Sequence, residues 1–345
     1  MARSTRPTVY TVAEHARVSV ATVSRALAAP HRVSEPTRRR VLDAIDSLGY
    51  VPHGGARSLA ADSHRAHGLV LPELVGPYYS DLLMGYEREA ATGGDSVVIA
   101  LAGGELDHIA SKLLRLAGSV DGIVVMGASA LPRHALAAIR DQVPVLGLTG
   151  GAAQGLEVIG TQSVESACEL TRHLIAHGRT RLAFVGDPAL GEDIEGRYRG
   201  FCDALGPQAP EPVRVGPSEA DGVAVAERML AGELDVDGLV CANDELALGA
   251  MVTLAARGCR VPEDVAVVGW DDVMAARFVR PSLTTVRQPV TELGATAARR
   301  LRELIAAART EQVAATPAPE RLTTSVIYRR SCGCASDASN EQEKP

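Results

Sequence analysis

The sequence predicts an all-α head of three short helices followed by an α/β body of two lobes built on doubly wound parallel sheets. Three observations carry this expectation. Residues 8–49 contain short, capped segments with apolar positions at helical spacing. From Gly68 onward, apolar strand-like runs alternate with helical stretches, the pattern of parallel sheets covered by helices on both faces. The charge is divided unevenly as well. Residues 1–65 hold 10 Arg against 5 acids and the remainder 25 bases against 37 acids, so the net charge of −7 splits into +5 and −12.

A chain of 345 residues with 46% hydrophobic and 22% charged residues can bury two or three cores. An alternating α/β stretch of roughly 260 residues exceeds one sheet layer, which predicts two lobes. No apolar run approaches the ~18 residues of a membrane span, and Met1 to Tyr10 lacks an apolar signal core, so a cytoplasmic location with no membrane partner is expected. A secreted solute-binding protein would need such a leader or a lipid anchor. Nucleotide-binding glycine loops and a nucleophile elbow are missing from the sequence, which argues against an enzyme. Cys168, Cys202, Cys241 and Cys259 are scattered singly, and Cys332-Gly333-Cys334 has no ligand partners close in sequence. No disulfide framework, metal site or cofactor is expected.

In the head, Thr8 can cap a helix carrying Tyr10, Val12, Ala13 and Ala16, and Ser19 can cap a second from Val20 to Ala28 with Val23 and Leu27 on one face. Only Arg17 and Val18 lie between them. So short a connection forces a steep crossing, as in a helix-turn-helix, whose second helix enters the DNA major groove by its N-terminus. Ser34 caps a third helix, with Pro36 in its first turn, Val41, Leu42, Ile45 and Leu48 on one face, and Gly49 as its stop. A basic head of this kind can hold phosphate while the acidic body is repelled by it.

Val12-Ala13-Glu14, Val18-Ser19, Ala21-Thr22-Val23-Ser24-Arg25, Val33-Ser34 and Gly49-Tyr50-Val51-Pro52 resemble the head of the lac repressor (LacI/GalR) family. The resemblance implies that Val20, Ala21 and Arg25 face base edges while Ser19, Thr22 and Ser24 approach phosphates. Arg25 can contact guanine in bidentate fashion, and Val20 and Ala21 offer apolar contact. The plainer reading of Arg25 is a solvated surface arginine. Thr11 stands where the family commonly has Asp, and Arg17 where it has the turn glycine, at a cost of roughly 1 kcal/mol if the backbone is left-handed. His53 to Ala61 matches the family's hinge helix, which folds when two copies pair over the minor groove. Leu59 occupies the position of the leucine that wedges a base step apart, and Ala56 and Ala60 are small enough for close approach. A flexible linker is the alternative. His53 and Gly54 depart from the usual Asn-rich start.

The strand-like runs of the body are Leu69-Val70-Leu71, Ser96 to Leu101, Gly122 to Met126, Val143 to Leu148, Leu182 to Val185, Gly238 to Cys241 and Val265 to Gly269. Polar residues follow two of them: Asn243-Asp244 and Trp270-Asp271-Asp272. Ligands of doubly wound sheets bind beyond such carboxyl ends.

Pro77-Tyr78-Tyr79, Val120-Asp121-Gly122-Ile123, Arg197-Tyr198-Arg199-Gly200, Ala242-Asn243-Asp244 with Ala247-Leu248-Gly249, Val261-Pro262-Glu263-Asp264, Gly269-Trp270-Asp271-Asp272 and Pro281 to Gln288 extend the resemblance. It runs through the family to the periplasmic sugar-binding proteins and covers about residues 8–330. It implies a periplasmic-binding-protein-like sensor in which Arg197, Asn243, Asp271 and Gln288 line an effector pocket walled by Tyr78, Tyr79 and Trp270. Such a set of donors, acceptors and flat rings suits a sugar or related polyol. Plainer readings are a helix cap for Asp271, a surface ion pair for Arg197 and a bridge between lobes for Gln288. Thr149 replaces an acid found in several sugar-responsive members, and Glu73 and Gly76 replace the usual Asp and Asn.

Thr284-Thr285-Val286 and Leu322-Thr323-Thr324 read as late segments crossing between the lobes, about which closure would occur. Ser331 to Pro345 is polar, without a heptad seam, and reads as a loose tail on a dimer. The expected organisation is a DNA-binding domain at 1–52, a hinge helix and linker at 53–65, an effector-binding and dimerisation domain at 66–330 and a disordered tail at 331–345. The function implied is a homodimeric, sequence-specific transcription repressor on a palindromic double-stranded operator, controlled by a sugar-like effector.

Overall fold

Helix α1 (Val9–Ala16) begins at Thr8, whose hydroxyl accepts from the Thr11 backbone N–H, while the Thr11 hydroxyl accepts from the Thr8 N–H at 2.8 Å. Thr11 thus closes the reciprocal cap with a hydroxyl in place of a carboxylate. Arg17 ends the helix in the left-handed region, at φ 53° and ψ 49°, as its position in the turn predicts. Helices α2 (Val20–Ala28) and α3 (Glu35–Leu48) follow, and Val12, Val23, Val41 and Ala44 form their shared core. Leu42, expected inside, is exposed: α3 turns the 41, 44, 45, 48 stripe inward, and Leu42 lies a quarter turn away from it.

The computed structural model describes residues 7–28, 32–50, 63–72, 74, 76–102, 106–127, 131–149, 155–310 and 320–335. The expected hinge helix, with Leu59, lies outside the described residues.

The first lobe opens with β1 (Ala66–Leu71), α4 (Pro77–Thr92), β2 (Ser96–Leu101), α5 (Leu106–Ala117), β3 (Gly122–Met126), α6 (Arg133–Arg140), β4 (Val145–Leu148) and β5 (Val158–Thr161). The chain then crosses into the second lobe, through α7 (Val164–Ala176), β6 (Leu182–Val185), α8 (Glu192–Leu205), α9 (Glu219–Leu230), β7 (Gly238–Cys241), α10 (Asp244–Ala256), β8 (Ala266–Val268), α11 (Met274–Phe278) and β9 (Thr285–Arg287). It returns to the first lobe with α12 (Val290–Arg309) and β10 (Glu320–Leu322), and crosses a last time into β11 (Ser325–Ile327).

The first sheet has the order β10-β5-β4-β3-β1-β2 and is parallel throughout. The second runs β6-β7-β8 in parallel, and β9 and β11 form an antiparallel pair beside it. Buried β-branched and leucine side chains fill β1, β3, β7 and β8, as sheets covered on both faces require. On the first sheet, α4 and α12 meet backbone to backbone. A Cβ on Gly85 would lie 1.9 Å from the Thr291 carbonyl oxygen, and one on Gly294 would lie 2.2 Å from that of Leu82.

β5 is absent from the strand-like runs read in the sequence, although β4 and β7, equally short and also holding a glycine, are among them. The tail needs a correction. Ser331 and Cys332 are fully buried, and Ser331 accepts from the Thr284 N–H at 2.9 Å and donates to the Val267 carbonyl at 2.5 Å. Small polar residues that look solvated in sequence here satisfy the backbone at the edge of β8, so Ser331 and Cys332 belong to the packed body.

Candidate DNA-reading face and effector cleft

The second helix of the head sets its candidate residues by periodicity. Val23 and Ala26 point into the core, which turns Ala21 and Arg25 outward and leaves Val20, Thr22 and Ser24 half-buried on the flanks. Ser19 is exposed and caps the helix: its Oγ accepts from the Thr22 N–H at 3.1 Å and lies 2.9 Å from the Thr22 hydroxyl. The exposed N-terminus of α2 therefore offers backbone N–H groups, hydroxyls and one guanidinium on a single face, a suitable set for phosphate and base edges.

The chain enters the body through Asp121. Its carboxylate accepts from Ser63 Oγ at 2.9 Å and from the His64 and Arg65 N–H groups, each at 2.8 Å. Burial pulls this carboxyl upward, but the hydrogen bonds from His64, Ser63 and Arg65 and the charge of Arg309 hold it below the ordinary value. A recess of about 690 Å³ beside this joint is lined by Ser63, Asp121, Pro144, Ile305 and Arg309 among others.

Between the lobes, the carboxyl ends of the second sheet bring most of the predicted effector residues together. Trp270, one residue past the end of the Ala266–Gly269 run, is buried, and the Arg197 guanidinium carbon stands 4.7 Å from its ring centroid. Arg197 donates to the Ala242 carbonyl and to Asp193 Oδ2 at 3.2 Å, so it is ion-paired, but buried rather than on the surface. Trp270 Nε1 and Arg197 Nε are buried donors without a hydrogen-bond partner. Asp271 adopts φ +114°, a conformation L-residues rarely take, and such strain collects at binding sites. Burial pushes its carboxyl up to about 7, against the pull of Arg197.

Tyr78 and Tyr79 open α4 on the opposite lobe with their rings edge to face at 5.5 Å. Burial, then the nearby charges of Asp271 and Asp193 from the second lobe, raise the Tyr78 hydroxyl. The lobes approach closely nearby: a Cβ on Gly76 would lie 2.8 Å from Glu245 Oε1.

Two predicted residues take different roles. Asn243 is the N-cap of α10: its Oδ1 accepts from the Leu246 N–H at 3.0 Å and its Nδ2 donates to the Pro217 carbonyl at 2.7 Å. Gln288 spans the cleft floor, accepting from Thr161 Oγ1 at 2.7 Å and donating to Asp271 Oδ1 at 2.5 Å, which is the lobe-bridging role. Sequence reasoning missed Thr161 and Asp193, and noted Asp244 and Asp272 only as polar strand-end residues without a role. The i, i+4 spacing of Asp193 and Arg197 was a usable signal. Asp244 accepts from Thr285 Oγ1 at 2.6 Å and from the Val273 N–H at 2.9 Å, and burial, then Asp271, raises it well above the usual carboxylate range. Asp272 is held by Arg329 at 2.5 Å and Arg287 at 2.7 Å.

The expectation that Cys332 and Cys334 have no ligand partners also needs correcting. His173 and His177, distant in sequence, lie against both thiols because β11 returns the chain beside α7. Among the described residues no helix is long and apolar enough to cross a membrane.

Comparison with known proteins completes the description. Residues 8–53 match the family described as bacterial regulatory proteins, lacI family, and residues 171–332 match the periplasmic binding protein-like domain. The HTH-type transcriptional regulator GalR of Salmonella typhimurium is 32% identical over 298 residues, spanning 84% of this chain and 87% of GalR. The lac repressor dimer bound to operator and the anti-inducer ONPF matches with a TM-score of 0.82 at 26% identity, over 95% of this chain and 99% of that one. The complex of the transcriptional regulator CelR with cellobiose matches with a TM-score of 0.67 at 29% identity, over 94% and 100% of the two chains.

Proposed function

The chain belongs to the lacI family of bacterial regulatory proteins and is a DNA-binding transcription regulator rather than an enzyme, and from that premise we propose that it is a homodimeric repressor of a palindromic operator, released or retained by a sugar-like effector in the inter-lobe cleft. The observation that carries the effector assignment is the group formed by Arg197 over Trp270, Asp271 and the facing Tyr78, with two buried N–H donors left unpartnered. A polyol supplies acceptors for those donors, hydroxyls for Asp271 and a flat C–H face for the indole. The binding of cellobiose by CelR supports the saccharide class. Asn243 acts here as a cap that positions the mouth of the cleft, and Tyr79 as the support of Tyr78.

In the head, Arg25 is the base-reading side chain, Val20 and Ala21 give apolar contact, and Ser19, Thr22 and Ser24 engage phosphate. Leu59 is assigned the minor-groove wedge of a paired hinge helix. Dimerisation is supported by apolar side chains exposed on the edge strand β2, Val98, Ile99 and Leu101, and on α11, Met274 and Phe278. A sheet edge of that composition needs cover.

Control follows from linkage. An effector with higher affinity for one lobe arrangement shifts the population toward it, and DNA affinity changes by the same coupling free energy. Footprinting on the DNA upstream of the protein's own gene, with a thermal-shift series over monosaccharides, cellobiose and nucleosides, tests both halves. A protected two-fold symmetric site and a stabilising saccharide are expected. No protected site at low salt, or stabilisation by nucleosides alone, overturns the corresponding half.

A further inference from the structure

Two histidines one helical turn apart and two cysteines one residue apart meet at the far end of α7. His173 lies in the last turn of the helix and His177 caps it, so their rings share one face, with centroids 4.5 Å apart. Beyond β11 the chain runs back along this face and delivers Cys332 and Cys334. His173 Nε2 lies 3.2 Å from Cys332 Sγ and 3.5 Å from Cys334 Sγ, and Cys334 Sγ lies 3.6 Å from His177 Nε2. All four donor atoms fall within 4.8 Å of one another.

We propose that His173, His177, Cys332 and Cys334 form a closed tetrahedral site for a thiolate-seeking divalent cation, Zn²⁺ above all, which fastens the last crossing of the chain to the first helix of the second lobe. Tetrahedral bonds of about 2.3 Å to sulfur and 2.0–2.1 Å to nitrogen place neighbouring ligand atoms about 3.3–3.8 Å apart. The three donor separations given above already lie within a few tenths of an ångström of that spacing. Soft thiolates with imidazoles exclude Mg²⁺ and Ca²⁺ as the preferred occupant. Four protein ligands leave no open position, which makes the site structural.

The surroundings fit ligation. The Thr284 hydroxyl donates to Cys332 Sγ at 3.1 Å, a neighbouring hydrogen bond of the kind that orients a ligating atom. Tyr328 packs its ring 4.3 Å from that of His173 and ties its hydroxyl to Glu169 at 2.7 Å, so the imidazole is oriented. Gly333 between the cysteines adopts φ +112°, and a Cβ there would meet His177 Nδ1 at 3.1 Å, so glycine lets both thiols turn to the histidines. His177 is exposed, which gives the cation a way in. An ordinary core contact would bring together apolar groups; four soft donors on one point is the arrangement of a ligand set.

The test uses untagged full-length protein purified under reducing conditions, with metal content by mass spectrometry and Co²⁺ titration after chelator treatment. The expected result is one Zn²⁺ per chain, and for Co²⁺ the intense d–d and thiolate charge-transfer bands of a tetrahedral sulfur site, abolished by added Zn²⁺. Chelation lowers the melting temperature, and Zn²⁺ restores it. Cys334→Ser and His177→Gln each lose stoichiometric metal and the charge-transfer intensity changes, while Thr284→Val weakens affinity by about 10–100-fold. His177→Gln alters an exposed side chain, so its folded state is checked by circular dichroism independently of metal. Absence of thiolate bands with Co²⁺, equal zinc content in wild type and both ligand variants, or a Cys332–Cys334 disulfide in the native protein would overturn the proposal.

Discussion

Replacing Gln288 by Met removes the polar bridge across the cleft floor while keeping the length and flexibility of the side chain. Gln288 is 6% exposed, and its amide joins Thr161 of the first lobe to Asp271 of the second. After Gln288→Met, the buried Thr161 hydroxyl has lost its acceptor, which costs about 1–3 kcal/mol. The Asp271 carboxylate has lost a donor, which costs about 1.5–3 kcal/mol when the group is charged. The sum is about 2.5–6 kcal/mol at a pH near 8, where a group titrating at about 7 is mostly ionised. Urea unfolding followed through Trp270, the single tryptophan of the chain and a neighbour of Asp271, reads this loss directly. Adding Thr161→Val removes the stranded hydroxyl, so the double variant should be more stable than the sum of the two singles by about 1–3 kcal/mol. A loss under about 0.5 kcal/mol for Gln288→Met, the size of an ordinary surface substitution, would refute the bridging role. So would strict additivity in the cycle.

Further outcomes are expected, three from the geometry above and one, at Leu59, from the resemblance of the hinge segment to the family's. Arg25→Ala should cost about 1–3 kcal/mol on the specific operator and relax preference at one base pair, whereas Leu59→Ala should weaken specific binding more than non-specific binding, both read by fluorescence anisotropy. Asp272→Asn keeps the size and tolerates the local φ of 56°, but leaves the Arg329 guanidinium, 7% exposed, without its counter-charge. Destabilisation of about 3–5 kcal/mol is expected in chemical unfolding. Burial raises Asp271 in the folded body, so the folded state holds a proton that the unfolded chain releases. Its contribution is therefore present below the ordinary carboxylate range and is lost as pH rises through about 7. The stability curve of wild type, minus that of Asp271→Asn, should fall over this window.

What could be read from the sequence was what neighbours in sequence determine. The caps at Thr8 and Ser19, the left-handed Arg17 and the stop at Gly49 each depend on residues within one helical turn. Most strands of the two sheets announce themselves as apolar runs, the fully buried ones because both faces are covered, whereas β5 and β10 do not. Leu42 went the wrong way because four leucine and β-branched positions on a short helix admit two overlapping stripes, and only packing against α1 and α2 selects between them.

The site was legible in part. Trp270 and Asp271 stand at the strand end that the sequence suggested and Arg197 beside them, as the family resemblance implied, yet their partners Thr161, Asp193 and Ala242 come from three separate stretches of the chain. The cap role of Asn243 was not read from the sequence, because an Asn at a strand end serves equally well as a ligand donor or as a helix cap, and here it caps α10. The cluster at His173 and Cys332 was invisible because about 160 residues separate ligands that only the last crossing brings together.

The claim on which the account rests is that the cleft controls the head. Its most direct test is the affinity of the full-length protein for its footprinted operator, measured by anisotropy with and without the saccharide that most stabilises the body, in wild type and in Asp271→Ala. The account predicts a change of about 5–150-fold in wild type and none in the variant at the same saccharide concentration. A saccharide that raises the melting temperature through Asp271 yet leaves operator affinity unchanged would contradict it.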